Sequence, residues 1–340
     1  MEKKKILVTG GTGYIGSHTI IDLIEHGYEP ISIDNGINSS ADVLNQVEII
    51  TGQQVKHYNI DLCDYTATEK VFSEHKFDGI IHFAALKAVG ESVQQPIRYF
   101  KNNVDSLLNV LQCALEHQVP NFIFSSSCTV YGNVETSPVT EDTPMQEAAS
   151  PYGRTKQIGE QVIQDSLKTS NTKAILLRYF NPAGAHPSGL MGEAPSNTAQ
   201  NLVPVITETA IGKRASMTVY GSDYDTRDGS CVRDYIHIMD LAHAHTLALE
   251  YLLASKQDQQ VDVYNLGIGE GITVFEIIKA FEKASGVKLA YQGGPRRDGD
   301  VVSIFANYAK AKKNLEWTPE YGVDEIMDTA WVWEKNRTKK

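Results

Sequence analysis

Short, nearly unbroken apolar runs recur along the first half of the chain, separated by stretches whose apolar residues return every three or four positions. The runs read as strands buried on both faces, and the periodic stretches as helices packed against them. Ile6-Leu7-Val8-Thr9, Pro30-Ile31-Ser32-Ile33-Asp34-Asn35, Gly79-Ile80-Ile81-His82-Phe83-Ala84-Ala85, Asn121-Phe122-Ile123-Phe124-Ser125-Ser126-Ser127 and Ala174-Ile175-Leu176-Leu177-Arg178-Tyr179-Phe180 are such runs. A helix follows the first and ends near Gly27, and another runs from near Pro96 to about Gln118. A third starts at Ser150-Pro151, where a serine N-cap precedes a proline at the first helical position. This alternation predicts an α/β fold, with an open, doubly wound, mostly parallel sheet of the Rossmann type. From Ala183 the texture becomes rich in Gly, Pro, Asn and Ser, with one helix expected from Leu202 to Gly212 and a strand over Val261 to Leu266. The expected division is a Rossmann domain over residues 1–181 and a smaller C-terminal ligand domain over 182–340, of which about 234–267 returns to the sheet.

Charge narrows the set of partners. With 31 basic against 42 acidic residues, net -11, the surface argues against nucleic acid and against an anionic membrane. The apolar run after Met-Glu-Lys-Lys-Lys is too short for a signal peptide or a membrane helix, so a cytoplasmic location is expected. Cys63, Cys113, Cys128 and Cys231 are scattered without metal-ligand spacing, and no disulfide is expected. His243 and His245 alternate on a predicted helix and point to different faces, a pattern of structural histidines rather than of a metal site.

The first strand runs straight into Gly10-Gly11-Thr12-Gly13-Tyr14-Ile15-Gly16 and a helix, the order that turns a glycine pattern into a phosphate site. The glycines read either as 10, 13 and 16 or as G-x-G-x-x-G from 11; both bring backbone N–H groups to a pyrophosphate at the helix start. Asp34, at the end of the second strand, accepts hydrogen bonds from an adenosine ribose and repels a 2'-phosphate, which favours NAD over NADP. Asn35, Asn38 and Ser39 are near enough to assist, and Asp61-Leu62 suits the adenine end. Phe83-Ala84 ends a strand with room for a cofactor, followed at once by Lys87. Asn102 or Asn103 reads as a ligand contact or as a brace between strands.

Ser127 ends a strand in three hydroxyls, and Tyr152 stands four residues before Lys156, one helical turn away. Lowering a phenol from about 10 to about 7 requires roughly 4 kcal/mol. One cation about 4 Å away at an effective dielectric of about 20 supplies that much. Such a phenol takes a proton from an alcohol at neutral pH, with the serine sharing it. Tyr308 and Lys312 repeat the spacing without the serines. In an acidic chain, Arg233, Arg296 and Arg297 are candidate clamps for a diphosphate.

The glycine turn, Asp34, the serine strand end and Tyr152-x-x-x-Lys156, taken in order, resemble the extended short-chain dehydrogenase/reductases over nearly the whole chain. Phe83-Ala84-Ala85-Leu86-Lys87-Ala88-Val89-Gly90-Glu91-Ser92, Ser125 to Gly132, Arg178-Tyr179-Phe180-Asn181-Pro182 and Arg233-Asp234-Tyr235-Ile236-His237 resemble the members that invert C4 of UDP-sugars. The resemblance implies tightly held NAD, epimerisation of UDP-glucose and UDP-galactose through a 4-keto sugar, and a homodimer. Tyr152 is implied as base, Lys156 as stabiliser of its phenolate and Ser127 as its hydroxyl partner. By position it implies cofactor contacts from Gly10, Gly13, Tyr14, Ile15, Gly16, Asp34, Asn35, Asn38, Ser39, Asp61, Leu62, Phe83, Ala84, Lys87, Asn102, Tyr152, Lys156 and Phe180. Implied substrate contacts are Lys87, Ser127, Tyr152, Tyr179, Asn181, Asn201, Leu202, Tyr220, Arg233, Arg297, Asp300 and Ile304. Members that go on to eliminate water carry Asp-Glu where this chain has Cys128-Thr129, so 4,6-dehydration is not expected. Ile304 occupies the position whose bulk governs room for an N-acetyl group, and its intermediate size leaves N-acetylated UDP-sugars and UDP-pentoses open. Intact Ser127, Tyr152 and Lys156 speak against a catalytically silent NAD sensor on the same fold.

Overall fold

The computed structural model describes residues 3–195, 198–297 and 300–338. Six strands and six helices alternate over its first half: β1 (Lys5–Thr9), α1 (Tyr14–Glu25), β2 (Glu29–Asp34), α2 (Val43–Thr51), β3 (Lys56–Asn59), α3 (Tyr65–Glu74), β4 (Gly79–His82), α4 (Val89–Gln94), α5 (Pro96–Glu116), β5 (Asn121–Ser127), α6 (Pro151–Leu167) and β6 (Lys173–Tyr179). A 3-10 turn, Cys128–Tyr131, closes β5. Because successive side chains on a strand face opposite ways, each central strand feeds two cores. Ile6, Val8, Ile81, Ile123 and Ile175 pack on one side with α1. Leu7, Ile80, Phe122, Phe124 and Leu176 pack on the other, with apolar residues of α3, α5 and α6. That two-sided burial is why β4 and β5 read as apolar runs.

The second half comprises β7 (Asn181–Ala183), α7 (Leu202–Ala210), β8 (Met217–Tyr220), β9 (Val232–Arg233), β10 (Tyr235–His237), α8 (Ile238–Leu253), β11 (Val261–Leu266), β12 (Ile272–Thr273), α9 (Val274–Ser285), β13 (Tyr291–Gly294), β14 (Ser303–Ile304), α10 (Ala309–Asn314) and α11 (Val323–Arg337). β11 joins the large sheet beside β6, completing the parallel order β11-β6-β5-β4-β1-β2-β3. The reversal between β1 and β4 is the switch point at which doubly wound sheets bind ligands. α8 packs on α1, burying Leu241, Ala244, Ala248 and Leu249. A further core forms where α7, α9 and α11 meet, around Val203, Ile206, Ile277, Phe281, Ile326 and Met327.

Asp234 ties the small sheets to the large one. It is fully buried between β9 and β10, and its carboxylate accepts Ile268 N at 2.8 Å, Gly269 N at 3.1 Å and Ala306 N at 3.0 Å. Its carbonyl accepts Asn181 N at 3.0 Å. Removing the carboxylate strands three backbone donors, at roughly 1–3 kcal/mol each when they stay unsatisfied. Asp234→Ala is therefore expected to lose about 3 kcal/mol or more in urea unfolding; a loss under about 1 kcal/mol would contradict this role.

Candidate active site

The site is built at the carboxyl end of the sheet. β1 ends in a turn that only glycine fits. Gly10 has φ +68°, its N–H donates to Ile33 O at 2.7 Å, and a Cβ there would lie 2.8 Å from Ala84 N. At Gly16 a Cβ would lie 2.3 Å from Gly10 O. α1 begins after Gly13 with no side-chain cap, which leaves its first N–H groups to an anion. Asp34 closes the far side: its carboxylate accepts Thr12 N at 3.3 Å, Gly36 N at 2.9 Å and Ser39 Oγ at 3.2 Å. Asn35 accepts Ile37 N at 3.1 Å, and Asn38 is exposed on the same loop. Asp61, at the start of the turn after β3, accepts Cys63 N at 2.9 Å beside buried Leu62. Close-packed glycines, an open helix start and a carboxylate at the second strand fit an adenine dinucleotide lacking a 2'-phosphate.

Ser150 caps α6 by accepting Gly153 N at 3.1 Å, and Pro151 stands at its first turn. The helix carries Tyr152, Lys156 and Glu160 up one face against β5. Lys156 is 4% exposed; its Nζ donates to Ser125 O at 2.5 Å and lies 5.9 Å from the centre of the Tyr152 ring. Ser127 Oγ accepts Thr129 N at 3.2 Å, capping the 3-10 turn. Tyr179 is hydrogen-bonded to Ser125 Oγ, within the sheet. Beneath the pair, Glu160 accepts Ser126 Oγ and two guanidinium donors of Arg178, at 2.9 and 2.6 Å. Arg178 reaches the Tyr131 hydroxyl at 3.1 Å, which donates to Asn265 at 2.6 Å. Breaking such a buried pair costs about 3–5 kcal/mol, so it holds α6, β5, β6 and β11 in register.

The electrostatics differ from the expectation built on spacing. Burial raises the Tyr152 phenol to about 12, with Ser127 opposing the shift and Cys128 adding to it. Burial lowers Lys156 to about 7, against the Glu160 carboxylate. Both groups are pushed toward their neutral forms, because loss of water is the largest cause of each shift. Bringing the phenol from about 12 to about 7 takes roughly 7 kcal/mol at about 1.36 kcal/mol per unit.

Other predicted residues gather around two carboxylates. Glu193, which the sequence pattern did not single out, accepts Lys87 Nζ at 3.1 Å and Asn201 Nδ2 at 2.7 Å. Lys87 lies 5.7 Å from the centre of the Tyr14 ring, whose hydroxyl donates to Gly184 O at 2.7 Å. Asp300 accepts both guanidinium donors of Arg297, at 2.9 and 3.1 Å, and lies 3.6 Å from Arg233. Arg297 stacks on Tyr220 at 5.0 Å. Arg296 turns away, onto Asp223 and the Tyr224 ring, while Asp298 and Gly299 of the same loop lie outside the described residues. Asn103 is the brace: it bonds both backbone groups of Leu86, at 2.8 and 3.0 Å, and Thr155 at 3.1 Å, whereas Asn102 donates to Asn103. Ile304 is buried with Cys128 and Phe180 in a wall beside the 3-10 turn. Phe83, Ala84, Ile15, Asn181 and Leu202 are partly buried where the sheet meets the second half. Tyr308 packs edge-on against Trp317 at 5.9 Å, at the margin of a hydrophobic core, while Lys312 is exposed, so the second Tyr-x-x-x-Lys does not form a buried pair.

Fold and site together define an NAD-dependent short-chain dehydrogenase/reductase. Residues 7–330 match a family model described as GDP-mannose 4,6 dehydratase. Over 332 residues the chain is 47% identical to the UDP-glucose 4-epimerase of Bacillus subtilis, covering 97% of each, and it belongs to the UDP-glucose 4-epimerase family. The UDP-glucose 4-epimerase of Bifidobacterium longum, solved in complex with NAD+ and UDP, is 45% identical with a TM-score of 0.94, covering 98% of this chain and 99% of that one. The enzyme of Stenotrophomonas maltophila, solved with NAD and formylated UDP-arabinopyranose, is 39% identical with a TM-score of 0.95, covering 99% of both.

Gly16→Ala is expected to purify folded but with little bound NAD, because its Cβ collides with backbone rather than with a movable side chain. Cofactor released on denaturation, measured beside far-UV circular dichroism, checks this; full NAD content would contradict the cradle.

Proposed function

We propose that this chain interconverts UDP-glucose and UDP-galactose, with Tyr152 as a base that takes the sugar 4-hydroxyl proton and returns it within the same turnover. The observation that carries this reading is a partly buried Tyr152 with the buried Lys156 one turn further on, beside Ser127 at the carboxyl end of β5, the end of the sheet that also carries the glycine turn. When bound, NAD would supply reversible hydride acceptance and a positively charged ring, held by the glycine turn and Asp34. Residues 1–181 hold the cofactor and 182–340 the UDP-sugar, with about 234–267 returning to the sheet. Ser127 shares the transferred proton, and Lys156 favours the phenolate. Arg233 and Arg297 bring two guanidiniums against the single carboxylate of Asp300, a net positive pair suited to a diphosphate. Tyr220, 43% exposed and stacked on Arg297, offers a ring face to the uracil. The sugar then meets few fixed partners, as its turning over requires. Cys128 and Thr129 supply no acid pair for elimination of water, which favours epimerisation over the dehydration named by the family model.

Val89, Val93, Ile97 and Leu108 are 43%, 61%, 68% and 45% exposed on α4 and α5, an apolar strip that supports a homodimer. A cytoplasmic location accords with four free cysteines and, among the described residues, no helix long and apolar enough to cross a membrane.

Tyr152→Phe is expected to keep its cofactor and lose most interconversion of UDP-galactose and UDP-glucose; near-normal turnover would remove Tyr152 as the base. Lys156→Ala should shift the acidic limb of the pH–rate profile upward, since the phenolate loses its nearest protein cation and its pKa rises. An unchanged limb would separate the two groups. Ile97→Glu is expected to yield monomers in light scattering, and an unaltered mass would place the interface elsewhere.

A further inference from the structure

Asp22 and His26 lie one turn apart at the end of α1, and His243 reaches them from α8. Asp22 is nine residues beyond Gly13, about 13 Å along the helix at about 1.5 Å per residue, so this cluster stands outside the dinucleotide site. Donor atoms from the three residues come within 4.8 Å of one another. His243 Nδ1 lies 3.3 Å from Asp22 Oδ1 and 3.4 Å from Oδ2. That is longer than the about 2.7–2.9 Å of a strong charge-assisted hydrogen bond. It equals the edge of about 3.3 Å between two ligands held at about 2.0 Å on one tetrahedral ion. His26 Nδ1 lies 2.7 Å from Asp22 O, so its N–H donates to that carbonyl and Nε2 keeps its lone pair. Metal-binding histidines are oriented by such a bond. The two imidazoles face each other with centres 5.1 Å apart and planes at 35°. Asp22 is 6% exposed, while the His26 and His243 side chains are 34% and 39% exposed, which gives a rigid carboxylate floor with an open entrance.

We propose that Asp22, His26 and His243 form a site for one zinc-class divalent transition-metal ion, with its remaining positions open to water. Two imidazoles and a carboxylate match such ions and not magnesium or calcium, which prefer all-oxygen shells. The ion clips the end of the helix that carries the glycine turn to α8, so it acts on stability and leaves the sugar chemistry alone.

Tag-free protein, stripped with a chelator and retaining NAD, is titrated with Zn2+ by calorimetry at pH 7.5 and with Co2+ by visible absorption. One ion per chain is expected, with a Co2+ absorption band displaced by Zn2+ and a melting temperature that rises with Zn2+. His243→Ala and His26→Ala, both at partly exposed positions, should each weaken binding about 10-fold or more, the scale on which even outer partners of metal ligands act. Their epimerase rates should match the parent. Lack of saturable binding at one ion per chain, or equal binding in both variants, would overturn the proposal.

Discussion

A lysine at 4% exposure, its Nζ 2.5 Å from the Ser125 carbonyl, is costly to keep charged, and the surrounding fold offsets part of that cost. β5 supplies the carbonyl from a fully buried strand, and α6 supplies the lysine from a helix capped by Ser150. Glu160, one turn further on, raises the lysine's affinity for its proton, while Arg178 and Ser126 occupy that carboxylate so that it does not collapse onto Nζ. The result is a tyrosine and a lysine poised toward neutrality, sensitive to whatever charge next enters the site. That sensitivity suits the role proposed for Tyr152, a base in one half of a turnover and a proton donor in the other.

The second half of the chain answers a different need. Asp234 gathers N–H groups from the chain after β11 and after β14, fixing the small sheets against the large one. On that base, Asp300 holds Arg297 and approaches Arg233, while Glu193 draws together Lys87 from the end of the sheet and Asn201 from the start of α7. The carboxylates keep the cations oriented in an acidic protein, and the proposed diphosphate contacts draw on these same cations.

Most of the large sheet was legible, since strands buried on both faces must be apolar and glycines at β1 must yield to backbone. β2, β5, β6 and β11 lie within a residue or so of their expected runs. α4 was not foreseen: its six residues, from Val89 to Gln94, carry too few turns to show a period. Adjacent residues also defeat one-dimensional reading. Asn103 faces inward where Asn102 does not, and Arg297 joins Asp300 where Arg296 turns to Asp223, because direction is set by the backbone. Glu193 sits among glycines and prolines without periodicity, and its partners are 106 residues before it and 8 after. The largest departure is electrostatic. Spacing predicted a phenol drawn downward by its lysine; the structure adds desolvation, which sequence does not reveal, and reverses the sign for the protein alone.

On the proposed reading, the Tyr152–Lys156 pair holds a proton until positive charge brought by the oxidised cofactor makes the phenol basic. The direct test is titration of Tyr152 by NMR of carbon-13-labelled tyrosine, assigned against Tyr152→Phe, in cofactor-stripped and NAD-loaded protein. The account predicts a midpoint near pH 12 when stripped and a midpoint lower by several units when loaded. Equal midpoints in the two states, or ionisation near neutrality in the stripped protein, would contradict it.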